Sequence, residues 1–308
     1  SLVGSEMCIR DRAKAYDDLA DYSAAMGKAR AANAMQASRI GRYDGSEIDA
    51  FIEDMSRLVT AEWLSQPTGD PEFEPIFIVG HFRSGSTLTE QVISGHSATR
   101  SLGEVDFFLR YWFEDRPGFL ELFQPGKEAR LHEIAARYRE LTEAMGASTF
   151  RGIDKRPENL LFMGLIRKLF PGARFVQTCR QLLDNAISVY FQQLNDLSRF
   201  GTSLTDFQQY DRQCRQLMSL WTQRFGEAIH TVHYEDLVQS PEPTARALLD
   251  FLQLEWDPAC LDLQSGRNFV RTASMAQVRE GFHSRSVGRG RNYLPFLNAE
   301  ERSLFLAE

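Results

Sequence analysis

The sequence predicts an α/β protein in which a central parallel sheet is flanked by helices, and three observations support this. Residues 76–79 form an unbroken apolar run, which is typical of a strand covered on both faces. Residues 149–194 alternate between strand-like segments (149–153 and 174–179) and helix-like segments (158–170 and 182–194), and right-handed crossovers turn this pattern into a parallel sheet. Between residues 80 and 87, a turn rich in small side chains joins the apolar run to an amphipathic helix.

The turn at residues 80–87 has the spacing of a phosphate-binding loop (P-loop), Gly-x4-Gly followed by two hydroxyl residues. Its lysine is missing, because Ser86 stands where Lys is expected, and the cation Arg83 lies inside the loop instead. Backbone N–H groups at such a helix start favour an anion. The spacing therefore predicts a P-loop-type three-layer fold and a set of small anion-binding residues: Ser84, Gly85, Ser86 and Thr87. An ordinary turn between strand and helix is the alternative.

Length and composition fit a packed globular chain. With 308 residues and 43% hydrophobic content, the chain can form one large domain or two small ones. The net charge of −7 argues against a nucleic-acid partner, because binding to a phosphate backbone needs an excess of Lys and Arg. We find neither a run of ~18 apolar residues nor a signal peptide, so we expect a cytoplasmic protein without membrane contact. The four cysteines lack metal-ligand spacing, which predicts reduced thiols and no metal.

The domain organisation is read from composition and periodicity. Residues 1–12, SLVGSEMCIRDR, show no period and are predicted to be a non-native leader. Residues 13–66 are helical in pattern, with many small residues suited to closely packed helices. Residues 67–71 form a boundary loop, and residues 72–308 form the main domain, whose C-terminus is expected to be truncated because the sequence stops inside a helical pattern.

Two further strands are predicted to end at the same sheet edge as the P-loop. Strand 149–153 leads to Asp154 and Lys155, and strand 174–179 leads to Arg180. Ligands of parallel sheets collect at the carboxyl ends of the strands, so three cations should converge there. Ser188 follows eight residues after Arg180, on roughly the same helix face. The alternatives are a solvated Lys155 and a helix-packing Ser188.

The C-terminal half adds two more features. Residues 229–237 are predicted to form a strand that leads to Tyr234, Glu235 and Asp236, followed by a helix over 241–254. Between positions 267 and 291 there are six Arg and one acid, Glu280, interleaved with small and hydroxyl residues. This suits bidentate phosphate recognition by a loop. The aromatic residues at 107–113 are predicted to form core or the wall of a substrate cleft.

Together these pieces resemble the sulfotransferases that use 3′-phosphoadenosine 5′-phosphosulfate (PAPS), above all the bacterial type linked to tetratricopeptide repeats and the related tyrosylprotein sulfotransferases. Four separated motifs occur in the family's order. FIVGHFRSGSTL resembles the 5′-phosphosulfate loop, and CRQLLDNAIS resembles the 3′-phosphate signature. HYEDL resembles the segment near the nucleotide, and VRTASMAQVR with SRSVGRGRNY resembles the loop that closes over it. The segment AYDDLADYSAAMGKARAAN resembles the end of a tetratricopeptide array.

The resemblance implies a role for individual residues. Glu104 would be the general base, while Arg83 and Lys155 would act on the sulfuryl group and the leaving phosphate. The implied nucleotide-binding set is Arg83, Ser84, Gly85, Ser86, Thr87, Arg180, Ser188, Tyr234, Ser274 and Arg289, with PAPS as co-substrate and no metal. The sequence departs from the family's pattern at Gly290, where a Trp is common; this change is expected to loosen the closing loop around Arg289.

Three questions remain open from the sequence. The acceptor could be a polypeptide, a carbohydrate or a small molecule with a hydroxyl group, and a longer repeat array upstream would provide a binding site for a protein partner. One rival function is a nucleoside-triphosphate-dependent kinase with a modified loop, which would require magnesium. The other rival is a non-catalytic scaffold linked to tetratricopeptide repeats.

Overall fold

The computed structural model describes residues 2–66, 68–196, 198–263 and 281–306. The chain forms two compact units. The first, here called the helical unit, contains residues 1–50, 180–215 and 284–308. The second, here called the sheet unit, contains residues 51–179 and 216–283. The chain crosses from the sheet unit to the helical unit between Cys179 and Arg180.

The sheet unit is built on five parallel strands in the order β2-β3-β1-β4-β5. Their bounds are β1 Ile76–Gly80, β2 Thr99–Gly103, β3 Arg151–Lys155, β4 Arg174–Cys179 and β5 Ile229–His233. The central strand, β1, is buried along its whole length, which is why its sequence is apolar without alternation. The predicted fold, a parallel sheet flanked by helices, is confirmed.

The described ranges contain helices of ordinary α type and several short 3₁₀ segments. The α-helices are α1 Leu2–Asp18, α2 Tyr22–Ile40, α3 Ser46–Leu58, α4 Ala61–Ser65, α5 Ser86–Ser94, α6 Phe108–Glu114, α7 Arg116–Glu121, α8 Glu128–Thr142, α9 Met163–Leu169, α10 Leu182–Tyr190, α11 Leu204–Phe225, α12 Tyr234–Gln239, α13 Pro241–Phe251 and α14 Ala299–Leu306. The 3₁₀ segments are Pro157–Phe162, Arg199–Thr202, Gly226–Ala228, Pro258–Leu261 and Arg289–Phe296, and Glu143–Ala147 is a π-helix. Among these described helices, none is both long and apolar enough to cross a bilayer.

The strand register aligns the carboxyl ends of four strands at one sheet edge. Ile78 of β1 lies opposite Lys155 at the end of β3. Gly80 of β1 lies opposite Thr178 of β4. On the other side of β3, Gly103 of β2 pairs with Asp154. The segments that leave β1, β2 and β3 therefore start from neighbouring positions.

An aromatic core covers one part of the sheet and is centred on Tyr138 of α8. This fully buried ring stacks on Phe77 of β1, with ring centroids 5.9 Å apart. Phe108 of α6 and Phe170 lie 5.1 Å and 5.3 Å from the same ring. Phe108 therefore belongs to the core. This is one of the two alternatives predicted for residues 107–113, the other being the wall of a substrate cleft.

The helical unit is held together by packing of α1 along α2 and by contacts from the C-terminal segment. Asp21 caps the N-terminus of α2 by accepting a hydrogen bond from the Ala24 N–H at 3.0 Å. Arg30 of α2 makes an ion pair with Glu301 of α14 at 2.5 Å. Residues 13–66 are helical as the sequence predicts, and α1 also includes most of the predicted leader at 1–12. Both the leader and the tetratricopeptide link stay predictions.

Several element boundaries differ from those expected. Strand β2 is missing from the sequence prediction, because TRSLG is polar and lies at a sheet edge where only one neighbour constrains it. The strand predicted at 149–153 lies two residues further on. The helix predicted at 158–170 begins instead as a 3₁₀ turn behind Pro157 before α9 starts.

The elements after β4 are shorter than predicted. The helix expected over 182–194 ends at Tyr190, and the one expected over 241–254 ends at Phe251. The strand expected over 229–237 stops at His233, because Tyr234 already begins α12. Glu235 and Asp236 stand in the first turn of that helix, where acidic side chains complement the helix dipole.

Candidate active site

The predicted phosphate-binding loop is a sharply folded connection between β1 and α5. Gly80, Arg83 and Gly85 all have positive φ, at +141°, +64° and +106°. Arg83 is the only one of the three with a side chain, and a non-glycine residue in this region carries a conformational cost. Gly85 caps α5, so Ser86 and Thr87 form its first turn, whose N–H groups have no acceptor within the helix and favour an anion.

Ser84 holds the loop together and ties it to the neighbouring strand. Its hydroxyl donates to the His81 carbonyl oxygen at 2.6 Å and lies 2.7 Å from the Thr178 hydroxyl of β4. Its N–H also donates to the His81 carbonyl oxygen, at 3.3 Å. The side chain is buried. The Ser84 hydroxyl is therefore engaged inside the loop in this structure.

Tyr234 lies against the loop, as expected of a residue near the ligand. A Cβ atom placed on Gly85 would be 3.0 Å from Tyr234 Cδ2 and 3.4 Å from its Cβ. Gly85 is thus needed both for its left-handed backbone and for the close approach of this ring. The start of α12 and the start of α5 meet here.

Lys155 and Glu104 form an ion pair at the ends of adjacent strands. The Lys155 ammonium group donates to Glu104 Oε1. Lys155 is almost completely buried, whereas 47% of the Glu104 side chain is exposed. A buried ammonium ion needs an opposite charge. Glu104 provides that charge and also presents a carboxylate to solvent.

Asp154 fixes the segment that carries Glu104. Its carboxyl group accepts hydrogen bonds from the Tyr138 hydroxyl at 3.0 Å and from the Val105 N–H at 3.3 Å. Val105 directly follows Glu104, so the buried carboxyl holds the chain next to the ion pair. Complete burial raises the pKa of Asp154 to about 7, against the opposing effect of its hydrogen bonds. The residue thus titrates close to neutral pH.

We expect Asp154→Asn to change how stability depends on pH. In the unfolded chain this carboxyl ionises near pH 4, whereas in the fold it holds its proton up to about pH 7, so the wild type loses stability between these values. Asn cannot ionise and removes that loss, which would amount to at most about 4 kcal/mol at pH 8. Urea unfolding of both proteins at pH 4, 6 and 8 measures the difference. A constant difference across this range would contradict a neutral Asp154 in the fold.

Arg180, another of the predicted anion ligands, lies in the helical unit next to residues 286–290 of the C-terminal segment. The Arg180 guanidinium group donates to the Ser286 carbonyl oxygen at 2.7 Å. Asp184, in the first turn of α10, accepts hydrogen bonds at 2.6 Å from the N–H groups of both Gly288 and Gly290. It is buried, so residues 286–290 are firmly attached to the start of α10. Ser188 lies on the same helix and is half-buried.

The close attachment of this segment corrects the expectation about Gly290. A Cβ atom there would be 2.8 Å from Leu183 Cγ and 2.9 Å from the Asp184 carboxylate. Glycine therefore tightens the segment against α10, and the prediction that it loosens the loop is wrong. Arg289 pairs in this structure with the buried Asp17 of α1, which also accepts from the Tyr293 hydroxyl. Ser274 lies outside the described residues.

The predicted site residues are thus divided between the two units. The sheet unit brings Glu104 and Lys155 together and places Tyr234 against the P-loop, with Ser84 inside that loop. Arg180, Ser188 and Arg289 belong to the helical unit. Sequence reasoning assigned no role to Asp184, although this acid stands inside the CRQLLDNAIS motif and its first-turn position in a helix is a signal that could have been used.

A P-loop-type connection after β1, and an ion pair whose lysine is buried, both lie at the carboxyl ends of parallel strands. They define the class of protein as an α/β fold of the P-loop-like type. Residues 75–258 match the model of the sulfotransferase family. The chain belongs to the sulfotransferase family. Transfer of a sulfuryl group is the activity common to that family, and PAPS is its usual donor.

The chain is also similar to individual proteins. An uncharacterized protein of Aquifex aeolicus is 30% identical over 306 residues, covering 92% of this chain and 39% of the relative. The protein-tyrosine sulfotransferase of Drosophila melanogaster is 27% identical, covering 70% of this chain and 46% of the relative. The chain therefore spans less than half the length of these two proteins. Among solved structures, the sulfotransferase domain of the Synechococcus PCC 7002 olefin synthase shares the fold, with a TM-score of 0.56 and 20% identity. The match covers 74% of this chain and 89% of that domain.

Proposed function

We propose that the protein transfers a sulfuryl group from PAPS to an acceptor hydroxyl, with Glu104 as general base. The observation that carries this proposal is the Lys155–Glu104 ion pair, one strand away from the phosphate-binding loop. It combines a partly exposed carboxylate, which can take a proton, with a buried cation. The kinase and scaffold alternatives assign no role to this pair.

In the proposed reaction the acceptor oxygen attacks the sulfur atom in line with the bond that breaks. The hydroxyl proton passes to the Glu104 carboxylate, and the S–O bond to the 5′-phosphate is cleaved. The products are the sulfate ester and adenosine 3′,5′-bisphosphate. Glu104 must exchange its hydrogen bond from Lys155 for one from the acceptor, since a general base acts within hydrogen-bond reach of the proton.

Lys155 and Arg83 are proposed to stabilise the negative charge that grows on the leaving phosphate. Lys155 is buried, and a charge in a site of low dielectric interacts more strongly than one in water. Arg83 lies within the loop, whose first helical turn supplies N–H groups from Ser86 and Thr87. Because Lys155 is already buried in the fold before the reaction, little reorganisation of this cation accompanies transfer.

The remaining assignments concern the nucleotide. We assign Arg180 and Ser188 to the 3′-phosphate, Tyr234 to a position beside the nucleotide, and Ser274 and Arg289 to closure of the C-terminal segment. Support comes from the contact of Tyr234 with the loop and from the attachment of residues 286–290 to α10. For Arg289 the proposal requires that its pairing with Asp17 be exchanged for the ligand.

The acceptor is proposed to be a tyrosine hydroxyl of a polypeptide, since several relatives are protein-tyrosine sulfotransferases. Carbohydrate hydroxyls and small phenols are the alternatives. A repeat array upstream of residue 13 would bring a protein partner to the site.

An assay of adenosine 3′,5′-bisphosphate formation tests the proposal. The protein is incubated with PAPS and a tyrosine-containing peptide, an oligosaccharide or a simple phenol, each with EDTA and with Mg²⁺. We expect product with one acceptor class at equal rates in both buffers. Phosphoryl transfer from ATP that depends on Mg²⁺, without consumption of PAPS, would contradict the proposal and favour the kinase.

Arg180→Ala is expected to weaken binding of adenosine 3′,5′-bisphosphate by about 1.5–3 kcal/mol, because one charged hydrogen bond is lost. Titration calorimetry measures the change. Since Arg180 also contacts Ser286, the matched control is Asp184→Asn, which weakens attachment of the same segment but keeps the arginine. A Kd unchanged in Arg180→Ala, or weakened equally in both variants, would contradict a direct contact between Arg180 and the 3′-phosphate.

A further inference from the structure

Glu90 is a buried carboxylate near the ion pair to which the proposed reaction gives no role. It lies on α5, one helical turn beyond the P-loop, and its exposure is 0%. One carboxylate oxygen accepts a hydrogen bond from the Ser101 hydroxyl of β2 at 2.6 Å. The other oxygen is buried and has no hydrogen-bond partner among the described residues. Burial of a carboxylate in this state is costly unless a positive charge is near.

The strand register points to Lys155, because it puts this lysine on the sheet face of Ser101, the hydrogen-bond donor to Glu90. Ser101 is paired with Ile153 of β3, so the two side chains share a sheet face. Lys155 is two residues beyond Ile153 and therefore projects from the same face. Glu90 contacts this face through Ser101. Burial raises the pKa of Glu90, and the negative charge of Glu104 raises it further. The charge of Lys155 and the hydrogen bond from Ser101 oppose this rise.

We propose that Glu90 is a positioning residue that acts as the permanent counter-charge of Lys155. In the resting protein the positive charge of Lys155 interacts with two carboxylates, those of Glu104 and Glu90. When Glu104 releases Lys155 to accept the acceptor's proton, Glu90 continues to compensate the charge of the buried ammonium ion and keeps it directed to the leaving phosphate. The only proton that moves in this step is the one that Glu104 takes from the acceptor. This inference rests on the proposed function.

Turnover of Glu90→Gln provides the first test. We expect kcat to fall tenfold or more, while the Kd for adenosine 3′,5′-bisphosphate changes by less than about twofold, because the effect arises after binding. The acidic limb of the kcat/KM profile should move to lower pH, because Glu90→Gln removes a negative charge from the surroundings of the ion pair. In a Lys155→Met background, Glu90→Gln should change kcat by less than about twofold.

The second test is a double-mutant cycle on the thermal unfolding temperature, a measurement that does not depend on enzymatic activity. Glu90→Gln and Lys155→Met should each lower Tm, and the double variant should lower it by clearly less than the sum, since each partner is costly to bury alone. Lys168 is the matched control, because it is also a buried lysine of the sheet unit but donates to the carbonyl oxygens of Trp63 and Gln66. The cycle of Glu90→Gln with Lys168→Met should be additive.

The two measurements separate the two proposals. A wild-type protein that does not consume PAPS would overturn the proposed function, yet the unfolding cycle would still decide whether Glu90 and Lys155 are coupled. Additive effects in the Glu90/Lys155 cycle would overturn the inference, as would wild-type kcat and an unmoved acidic limb in Glu90→Gln.

Discussion

Replacing Glu104 with Gln is expected to lower kcat by about 10²–10⁴-fold, the range typical for loss of a general base. Gln is similar in shape and can still receive the hydrogen bond from Lys155, but it cannot take the acceptor's proton. Binding of adenosine 3′,5′-bisphosphate should remain within about twofold of wild type, because the role proposed for Glu104 concerns the acceptor and not the nucleotide. Steady-state kinetics and calorimetry on the same preparation measure both quantities.

Asp106→Asn is the matched control for this variant. Asp106 lies two residues further on, its side chain is 60% exposed, and it approaches Arg156 at 3.5 Å instead of Lys155. Removal of its charge should leave kcat close to the wild-type value. Full activity of Glu104→Gln, or an equal loss in both variants, would remove Glu104 from the mechanism.

Replacing Lys155 with Met is expected to reduce kcat by about 10²–10³-fold, which corresponds to ~2.7–4 kcal/mol for one preorganised group that stabilises transition-state charge. The apolar side chain retains most of the packing but has no charge to offer the leaving phosphate. The acceptor KM should change much less than kcat.

Lys168→Met separates this catalytic effect from a general effect of removing a buried lysine. Lys168 binds backbone carbonyl groups, so its loss should lower Tm without lowering kcat. If Lys155→Met retained wild-type kcat, or if both variants lost activity in proportion to their loss of stability, Lys155 would have no catalytic role.

The central strand and the loop that follows it are predictable from the sequence because their local pattern and their tertiary environment agree. β1 is apolar without alternation since it lies in the middle of the sheet. The loop needs Gly85 for its backbone, and the glycine is visible in the sequence. By contrast, β2 is a polar edge strand whose five residues carry no period that distinguishes them from a turn.

The hydrogen-bond donors to buried acidic side chains cannot be identified from a single sequence. Asp154, Asp184 and Glu90 look like ordinary carboxylates in the chain, yet each is buried. Their roles depend on which N–H or hydroxyl groups the fold brings to them from distant segments, such as Val105, Gly290 and Ser101. The Gly290 expectation failed for the same reason, since a small residue can either free a loop or allow it to approach closely.

The motif residues themselves were identified by spacing, and the structure adds their surroundings. Lys155 was placed at the sheet edge by the order of strands and helices, whereas Glu104 was assigned only through the family resemblance. Their direct pairing required β2 and its register with β3. Ser84 was assigned to the ligand through its backbone and hydroxyl groups, and the structure adds that the hydroxyl also joins the loop to β4.

Calorimetric titration of the protein with adenosine 3′,5′-bisphosphate and, separately, with ATP in the presence of Mg²⁺ tests the central claim most directly. We expect the bisphosphate to bind clearly more tightly, with an affinity that EDTA does not change, because the proposed function assigns cations of the chain to both of its phosphates. Tighter binding of ATP, dependent on Mg²⁺, would contradict the account.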